Sequence, residues 1–297
     1  MTPGVPALLA AALVLGGCVT TRPAAVTAAA PAQQPSLYAT TWTYGSAEAA
    51  ALGLQAYSAL TNYVAGRLPA LQGAAPFESA LVTGIDGAGR PQRALCTAAM
   101  RAHPAVVLDI DETGLLNSGA QYYAAQGHPY DEAEWARWLD DRAAQPTPVP
   151  GAVAAIAALR RLGVTPIWIS NATNSRRDAT VRALAGAGLG DAVPLETLFL
   201  RDDIAPGSDK QPRRLNVAER HCIIAMVGDQ VGDFTSLIDA GKPPLASRRA
   251  AAAGAYAPLW GQGWFMLPNP VYGAWNTPEA TLEDAVPQSL RWHPKPQ

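Results

Sequence analysis

Only 15% of the 297 residues are charged, the formal net charge is -2, and no basic run of five or more residues occurs. A chain with so little positive field has nothing to hold a polyphosphate backbone, which argues against nucleic acid as a partner. No Gly-x-x-x-x-Gly-Lys-Ser/Thr stretch is present, so a P-loop nucleotide hydrolase is excluded, and the lack of a Gly-x-Ser-x-Gly elbow argues against a serine hydrolase. The four histidines, His103, His128, His221 and His293, lack metal-ligand spacing and read as surface or packing residues. No internal repeat is visible. What is there is a hydrophobic composition of 49%, in a chain long enough for one large domain or one domain with an appended cap.

Cysteine is also scarce, and three residues cannot all pair. Cys18 ends Leu15-Gly16-Gly17-Cys18, directly after the apolar stretch 7–15, which is too short to span a bilayer and reads as the core of a signal peptide. The tetrapeptide resembles a bacterial lipobox, whose cysteine becomes the lipidated first residue of the mature protein. Val19 at the next position favours outer-membrane sorting. Cys18 is therefore expected to anchor the chain to the outer membrane, facing the periplasm or the cell surface. Cys222 enters an apolar strand, so Cys96 and Cys222 are expected to be inert buried thiols. A bridge between them is the alternative that an oxidising periplasm permits.

Residues 19–38, rich in Ala, Pro, Thr and Gln, have little to bury and read as a flexible tether. The spacing of Leu52, Leu54, Tyr57, Leu60 and Tyr63 predicts a helix over 46–71, and a second is expected over 91–103. The first core strand follows at 105–110, then a polar and aromatic insert to about 150. Helices are expected over 152–162, 175–187 and 213–219, strands over 165–170, 197–200 and 222–227, and a short helix or connection over 248–257. Strands alternating with helices imply right-handed βαβ units and a parallel sheet covered on both faces, with the site at the carboxyl ends of its strands. The expected boundaries are a signal peptide over 1–18, the tether over 19–38, a main domain over 39–280 with its cap insert at about 114–150, and a tail over 281–297.

The first core strand runs into Asp109-Ile110-Asp111-Glu112-Thr113-Gly114. Side chains two apart in an extended segment share a face, roughly 6.6 Å apart along the strand, so Asp109 and Asp111 present two carboxylates together. Such a pair suits magnesium-dependent phosphoryl transfer. The stretch also looks like the start of a calcium loop, but its twelfth position is Ala120 where a bidentate Glu belongs, and a strand leads into it. Later strand ends carry Ser170-Asn171 and Gly228-Asp229-Gln230-Val231-Gly232-Asp233, with Lys210 between them. Alone, Asp229 and Asp233 would read as helix caps and Lys210 as a solvated charge. Their order after the first motif makes them candidates for one site.

That order resembles the haloacid dehalogenase (HAD) superfamily, and more narrowly the class C acid phosphatases, bacterial lipoprotein phosphatases that also act as 5'-nucleotidases. The resemblance covers roughly residues 42–277. It includes 108–118, Trp135-Ala136-Arg137-Trp138-Leu139-Asp140, Val149-Pro150-Gly151-Ala152, Lys210-Gln211-Pro212-Arg213-Arg214, the aspartate motif and 265–273. It implies an α/β fold, a HAD-like three-layer sandwich with a central parallel sheet and a small, mostly helical cap. It also implies a Mg2+-dependent phosphomonoesterase that acts on small phosphate esters through an aspartyl-phosphate intermediate.

In that reading Asp109 is the nucleophile, and Asp111 protonates the leaving oxygen and later deprotonates the attacking water. Asp109, the Asp111 backbone carbonyl and Asp229 bind Mg2+, while Asp233 orients metal-bound water or takes a ligand place. Ser170 and Asn171 donate to the phosphoryl oxygens, and Lys210 supplies positive charge to a five-coordinate phosphorus. Thr113 fixes the turn after the strand. Trp135 and Tyr272 match positions where family members sandwich a nucleobase or other ring, and Tyr122, Tyr123, Tyr130, Trp138, Trp264 and Trp275 are further aromatic candidates for the substrate mouth.

The chain departs from the family pattern at Ala172, where an arginine usually follows Asn171, so that contact is lost or moved to Arg176 or Arg177. It departs again at Gln230 and Gly232, although Asp229 and Asp233 remain. Two rivals use the same residues differently: a phosphotransferase or mutase sharing the intermediate, and a surface lipoprotein that binds a ring-shaped ligand or a partner without turnover. The sequence leaves formation of a homo-oligomer open.

Overall fold

The computed structural model describes Met1 and residues 37–276, 281–286 and 288–292. Every element below belongs to the unit that spans Pro31–Gln297. Cys18 and His293 lie outside the described residues, as does the expected tether except for Leu37 and Tyr38, which open the first helix.

Helices α1 (Leu37–Gly45) and α2 (Ala47–Leu71) come first. Ser46 caps α2 by accepting from the Ala49 N–H. A hairpin of β1 (Phe77–Ile85) and β2 (Pro91–Cys96) leads to the short α3 (Ala98–Arg101) and the central strand β3 (Pro104–Leu108). The cap insert holds β4 (Leu115–Leu116), α4 (Ser118–Ala125), α5 (Glu132–Arg142) and β5 (Thr147–Pro148). The core resumes with α6 (Ala152–Arg161), β6 (Thr165–Thr173), α7 (Arg177–Gly186), β7 (Leu198–Arg201), α8 (Gln211–Ala218), β8 (Cys222–Gly228), α9 (Leu245–Ala253) and β9 (Trp264–Met266).

The five-stranded sheet has the order β7-β6-β3-β8-β9, and every neighbouring pair in it is parallel. β3 lies at its centre, buried on both faces. Val106 and Leu108 point into one core with Tyr57, Leu60, Ile156, Leu159, Trp168 and Leu184. Ala105 and Val107 point into the other with Ile167, Phe199, Met226, Phe234 and Trp264. This alternation is the period of two made visible, and it produces the expected three-layer α/β sandwich. Because β3 and β8 run parallel, Asp109 and Asp229, each one residue past its strand, emerge at the same edge.

The segment 91–103 is not one helix. Its first half, Pro91–Cys96, is β2, paired antiparallel with β1, and only Ala98–Arg101 is helical. The hairpin is stapled to the sheet, with Ser79 Oγ donating to the Ile223 carbonyl at 2.8 Å and Trp264 Nε1 to the Ala80 carbonyl at 2.8 Å. That pairing returns Cys96 to the start of β8, where it forms a disulfide with Cys222, their Cα atoms 5.3 Å apart. The expectation of two free thiols is thus corrected: the hairpin brings the two cysteines together.

The buried face of α2 also differs from the predicted spacing. Leu52 and Leu54 are exposed, while Gly53, Tyr57, Leu60 and Val64 face inward. A β-carbon on Gly53 would lie 2.9 Å from the Pro150 carbonyl, so glycine at that point lets α2 approach the backbone that closes the cap insert.

Candidate active site

Segments from the carboxyl edge of the sheet and from the cap meet in a cleft of about 1000 Å3. Asp109, Asp111, Asn171, Lys210, Asp229, Asp233 and Tyr272 form one side. Cap residues, among them Tyr123, Tyr130, Trp135 and Trp138, form the other. Tyr122 and Trp275 do not line it, and Trp264 is wholly buried in the core.

The Asp109 N–H donates to the Val227 carbonyl, extending the ladder between β3 and β8 by one bond. The chain then turns sharply, with the N–H groups of Thr113, Gly114 and Leu115 all pointing at the Ile110 carbonyl. Glu112 takes φ 53° within this turn, a conformation that few residues with a β-carbon adopt. Its carboxylate accepts from Tyr44 at 2.8 Å, from the Asn117 N–H at 2.8 Å, from Asn117 Nδ2 at 3.0 Å and from the Tyr272 hydroxyl. Four donors hold a buried carboxylate in place, and so fix the turn. The Thr113 carbonyl accepts from Tyr57 at 2.6 Å, which ties the turn to α2.

Lys210 precedes α8 and is buried. Its ammonium donates to Asp109 Oδ1 at 2.5 Å and to Asp233 Oδ1 at 2.6 Å. Asp233 Oδ2 accepts from the backbone N–H groups of Asp229 at 3.1 Å and Gln230 at 2.8 Å. A β-carbon on Gly228 would collide with the Asp233 carboxylate, so the strand must end in glycine for Asp233 to fold back over it. Asp229 accepts from Thr113 through Oδ1, and from Gln230 Nε2 and Asn269 Nδ2 through Oδ2. Arg214, fully buried, grips the Gly232 and Asp233 carbonyls at 2.7 and 2.9 Å.

The charges do not balance. Burial pushes the Asp109 carboxyl well above its usual range, against the pull of Lys210, and the neighbouring aspartates push it further. Burial and the charge of Asp233 raise Asp229 to about 7. Lys210 moves up instead, because Asp109 and Asp233 outweigh the cost of burying its ammonium. Asp111 goes the other way: burial opposes its charge, but the Arg142 guanidinium beside it holds the carboxyl below the usual value. Asp109, Asp229 and Asp233 each offer an oxygen within 4.8 Å of the others. Three hard oxygen donors this close together could hold a divalent cation, and the residues fit one.

Ser170, fully buried, donates to Asp111 Oδ2 at 3.2 Å and accepts from the Ala172 N–H, and it does not line the cleft. Asn171 does line it, with Oδ1 accepting from Arg213. Arg176 pairs with Asp140 and Arg177 with Asp203, and neither lines the cleft, so the geometry does not move the missing arginine contact onto them. Sequence reasoning missed Arg142, Asn117, Glu112, Tyr44 and Asn269. For Arg142 a signal existed, because Trp135, Trp138, Leu139 and Arg142 stand at i, i+3, i+4 and i+7 of α5, which puts a charge on an apolar face.

Carboxylates and a buried lysine at the carboxyl ends of a parallel sheet, under a helical cap, define a hydrolase site of the HAD type. The family model described as HAD superfamily, subfamily IIIB (acid phosphatase), matches residues 85–275, and the chain belongs to that family. It is an acid phosphatase, a phosphoric monoester hydrolase. Among solved structures it is similar to the class C acid phosphatase from Bacillus anthracis. The identity is 26% and the TM-score 0.64, over 85% of this chain and 89% of that one. A structure of the Bacillus anthracis class C acid phosphatase with tungstate bound matches at 24% identity and a TM-score of 0.62, over 84% of this chain and 92% of that one, which speaks to the fold.

Proposed function

We propose that this acid phosphatase is magnesium-dependent and works through a phosphorylated Asp109. The observation that carries the reading is the Lys210 ammonium, shared between Asp109 and Asp233 in the cluster that also holds Asp229. A carboxylate can attack an anionic phosphate only where positive charge offsets the repulsion. Mg2+ held by Asp109, the Asp111 carbonyl and Asp229, with Asp233 beside it, would add the charge that one lysine cannot supply.

In the first step an Asp109 oxygen forms a bond to phosphorus as the ester P–O bond breaks, and Asp111, which must carry a proton for this step against the pull of Arg142, gives it to the departing oxygen. In the second step Asp111 takes a proton from water, whose oxygen bonds to phosphorus as the bond to Asp109 breaks. Inorganic phosphate leaves and both acids return to their starting state. Asn171, which lines the cleft, would donate to the phosphoryl oxygens, and Ser170 would contribute through Asp111. Trp135 and Tyr272, both on the cleft wall, give an aromatic leaving group surfaces to stack on. We further propose that Cys18 carries a lipid anchor that holds the enzyme at the outer membrane.

The full-length chain, purified in detergent, is expected to hydrolyse p-nitrophenyl phosphate with Mg2+, to lose activity in EDTA, and to be inactive as Asp109→Asn. Wild-type turnover by that variant would remove Asp109 from its role. Binding of ring-shaped ligands by wild-type protein without turnover would favour a binding lipoprotein instead.

A further inference from the structure

Arg142 closes α5, and its side chain is 1% exposed. Nη1 donates to Asp111 Oδ1 at 2.6 Å and to Asn117 Oδ1 at 2.6 Å. Asn117 is held in turn by Trp138, whose Nε1 donates to the same Oδ1 at 2.7 Å, and its own Nδ2 donates to Asp111 Oδ1 at 3.1 Å. Ser170 Oγ meets the other oxygen, Oδ2, at 3.2 Å. Asp111 is thus gripped on one oxygen by Arg142 and Asn117 of the cap insert, and on the other by the core.

The remaining donors of Arg142, Nε and Nη2, are buried without a hydrogen-bond partner. Unpaired buried donors cost stability, and an apolar side chain of similar size would fill the space without that cost. A charge kept where folding alone would not place it is expected at functional sites.

We propose that Arg142 is a positioning residue: reaching in from the cap, it aims the Asp111 carboxyl group at the leaving oxygen, so that proton delivery depends on the cap being seated. This rests on the role given to Asp111 above. Arg142 does not line the cleft and acts on the reaction only through Asp111. Arg142 and Asn117 are cap-insert residues whose contacts fall on Asp111, whereas Tyr123, Tyr130 and Trp135 of the cap line the cleft.

The dependence on leaving group tests this. An aryl ester such as p-nitrophenyl phosphate expels a stable phenolate and needs little protonation, whereas an alkyl ester such as glycerol phosphate needs it fully. A well-placed acid is worth about 100- to 10,000-fold. With the full chain and saturating Mg2+, Arg142→Met is expected to lower kcat/KM by about 100-fold for glycerol phosphate but by less than about tenfold for p-nitrophenyl phosphate. Arg142→Lys, which keeps a donor on a similar stem, is expected to lose less on the alkyl ester. Asp111→Asn in the same assays is the reference. If it discriminates between the esters while Arg142→Met slows both equally or neither, the positioning role is overturned and the proposed function stands. If Asp111→Asn does not discriminate, both readings fall. Should Arg142→Met not fold, Arg142→Lys carries the test: a selective loss on glycerol phosphate supports the role, and equal losses overturn it.

Discussion

The Thr113 hydroxyl donates to Asp229 Oδ1 at 2.9 Å, joining two loops that are 116 residues apart in sequence. The turn after β3 therefore sets the direction of an acid that β8 delivers. Thr113→Val keeps the shape and removes the donor. Hydrogen bonds behind a metal ligand are worth about 10- to 100-fold in affinity, so the Mg2+ concentration for half-maximal activity is expected to rise by about tenfold or more. Activity at saturating Mg2+ should fall much less. An Mg2+ titration reads both, and an unchanged midpoint would mean that Asn269 and Gln230 suffice to hold Asp229.

The raised Asp229 carboxyl predicts how stability and metal demand follow pH. With its value near 7 in the folded chain, against about 3.9 when unfolded, the folded state holds a proton across that window and the unfolded state does not. Stability of the metal-free protein should therefore fall as pH rises from about 4 to about 7. Denaturant midpoints in EDTA at the two ends check the sign. If Mg2+ takes the Asp229 oxygen as proposed, it must displace that proton, and its apparent affinity should weaken as pH drops below about 7. Isothermal titration at pH 5.5 and 7.5 gives the comparison, and equal affinities would refute it.

Replacing Lys210 strands two buried carboxylates. Lys210→Met in metal-free protein is expected to cost about 3–5 kcal/mol where Asp109 is charged, and less where it takes up a proton. The loss should thus be larger at high pH than at pH 5 by urea unfolding in EDTA. Turnover with Mg2+ should drop by at least about 100-fold, since stabilisation of the transferring group goes with it.

The Cys96–Cys222 bond closes a sequence separation of 126 residues and lies at the amino end of β8, away from the catalytic edge. Reduction, or Cys96→Ser with Cys222→Ser, is expected to cost about 2–5 kcal/mol in urea. The kcat of the protein that remains folded should stay within about twofold. A large fall in kcat without a fall in stability would mean that the hairpin contributes to the site, and not only to the framework.

Asp109, Asp111, Lys210, Asp229 and Asp233 were legible because each stands at or near a strand or helix end whose apolar pattern is local, and a parallel sheet gathers such ends at one edge. Glu112 was not. Its positive φ and its partners Tyr44 and Tyr272, 68 and 160 residues away, leave no local trace. The strand Pro91–Cys96 read as helix because its hydrogen bonds are made to β1 and leave no mark on its own spacing, and its residues are largely half exposed, without a clean alternation. Ser170 was legible as a polar residue in β6, but whether its hydroxyl faces the cleft or Asp111 depends on Asp111, which Arg142 holds from another element.

The insert leaves and re-enters the core through adjacent strands, Leu115 pairing with Pro148 and Leu116 with Thr147. Both ends of the excursion are thereby pinned side by side, like the jaws of a clip, while the helices between them lean back on the core, where Leu139 is buried with Val106 and Leu108 of β3. Arg142 and Asn117 are the threads by which that clip is sewn to the catalytic turn, both ending on the same oxygen of Asp111.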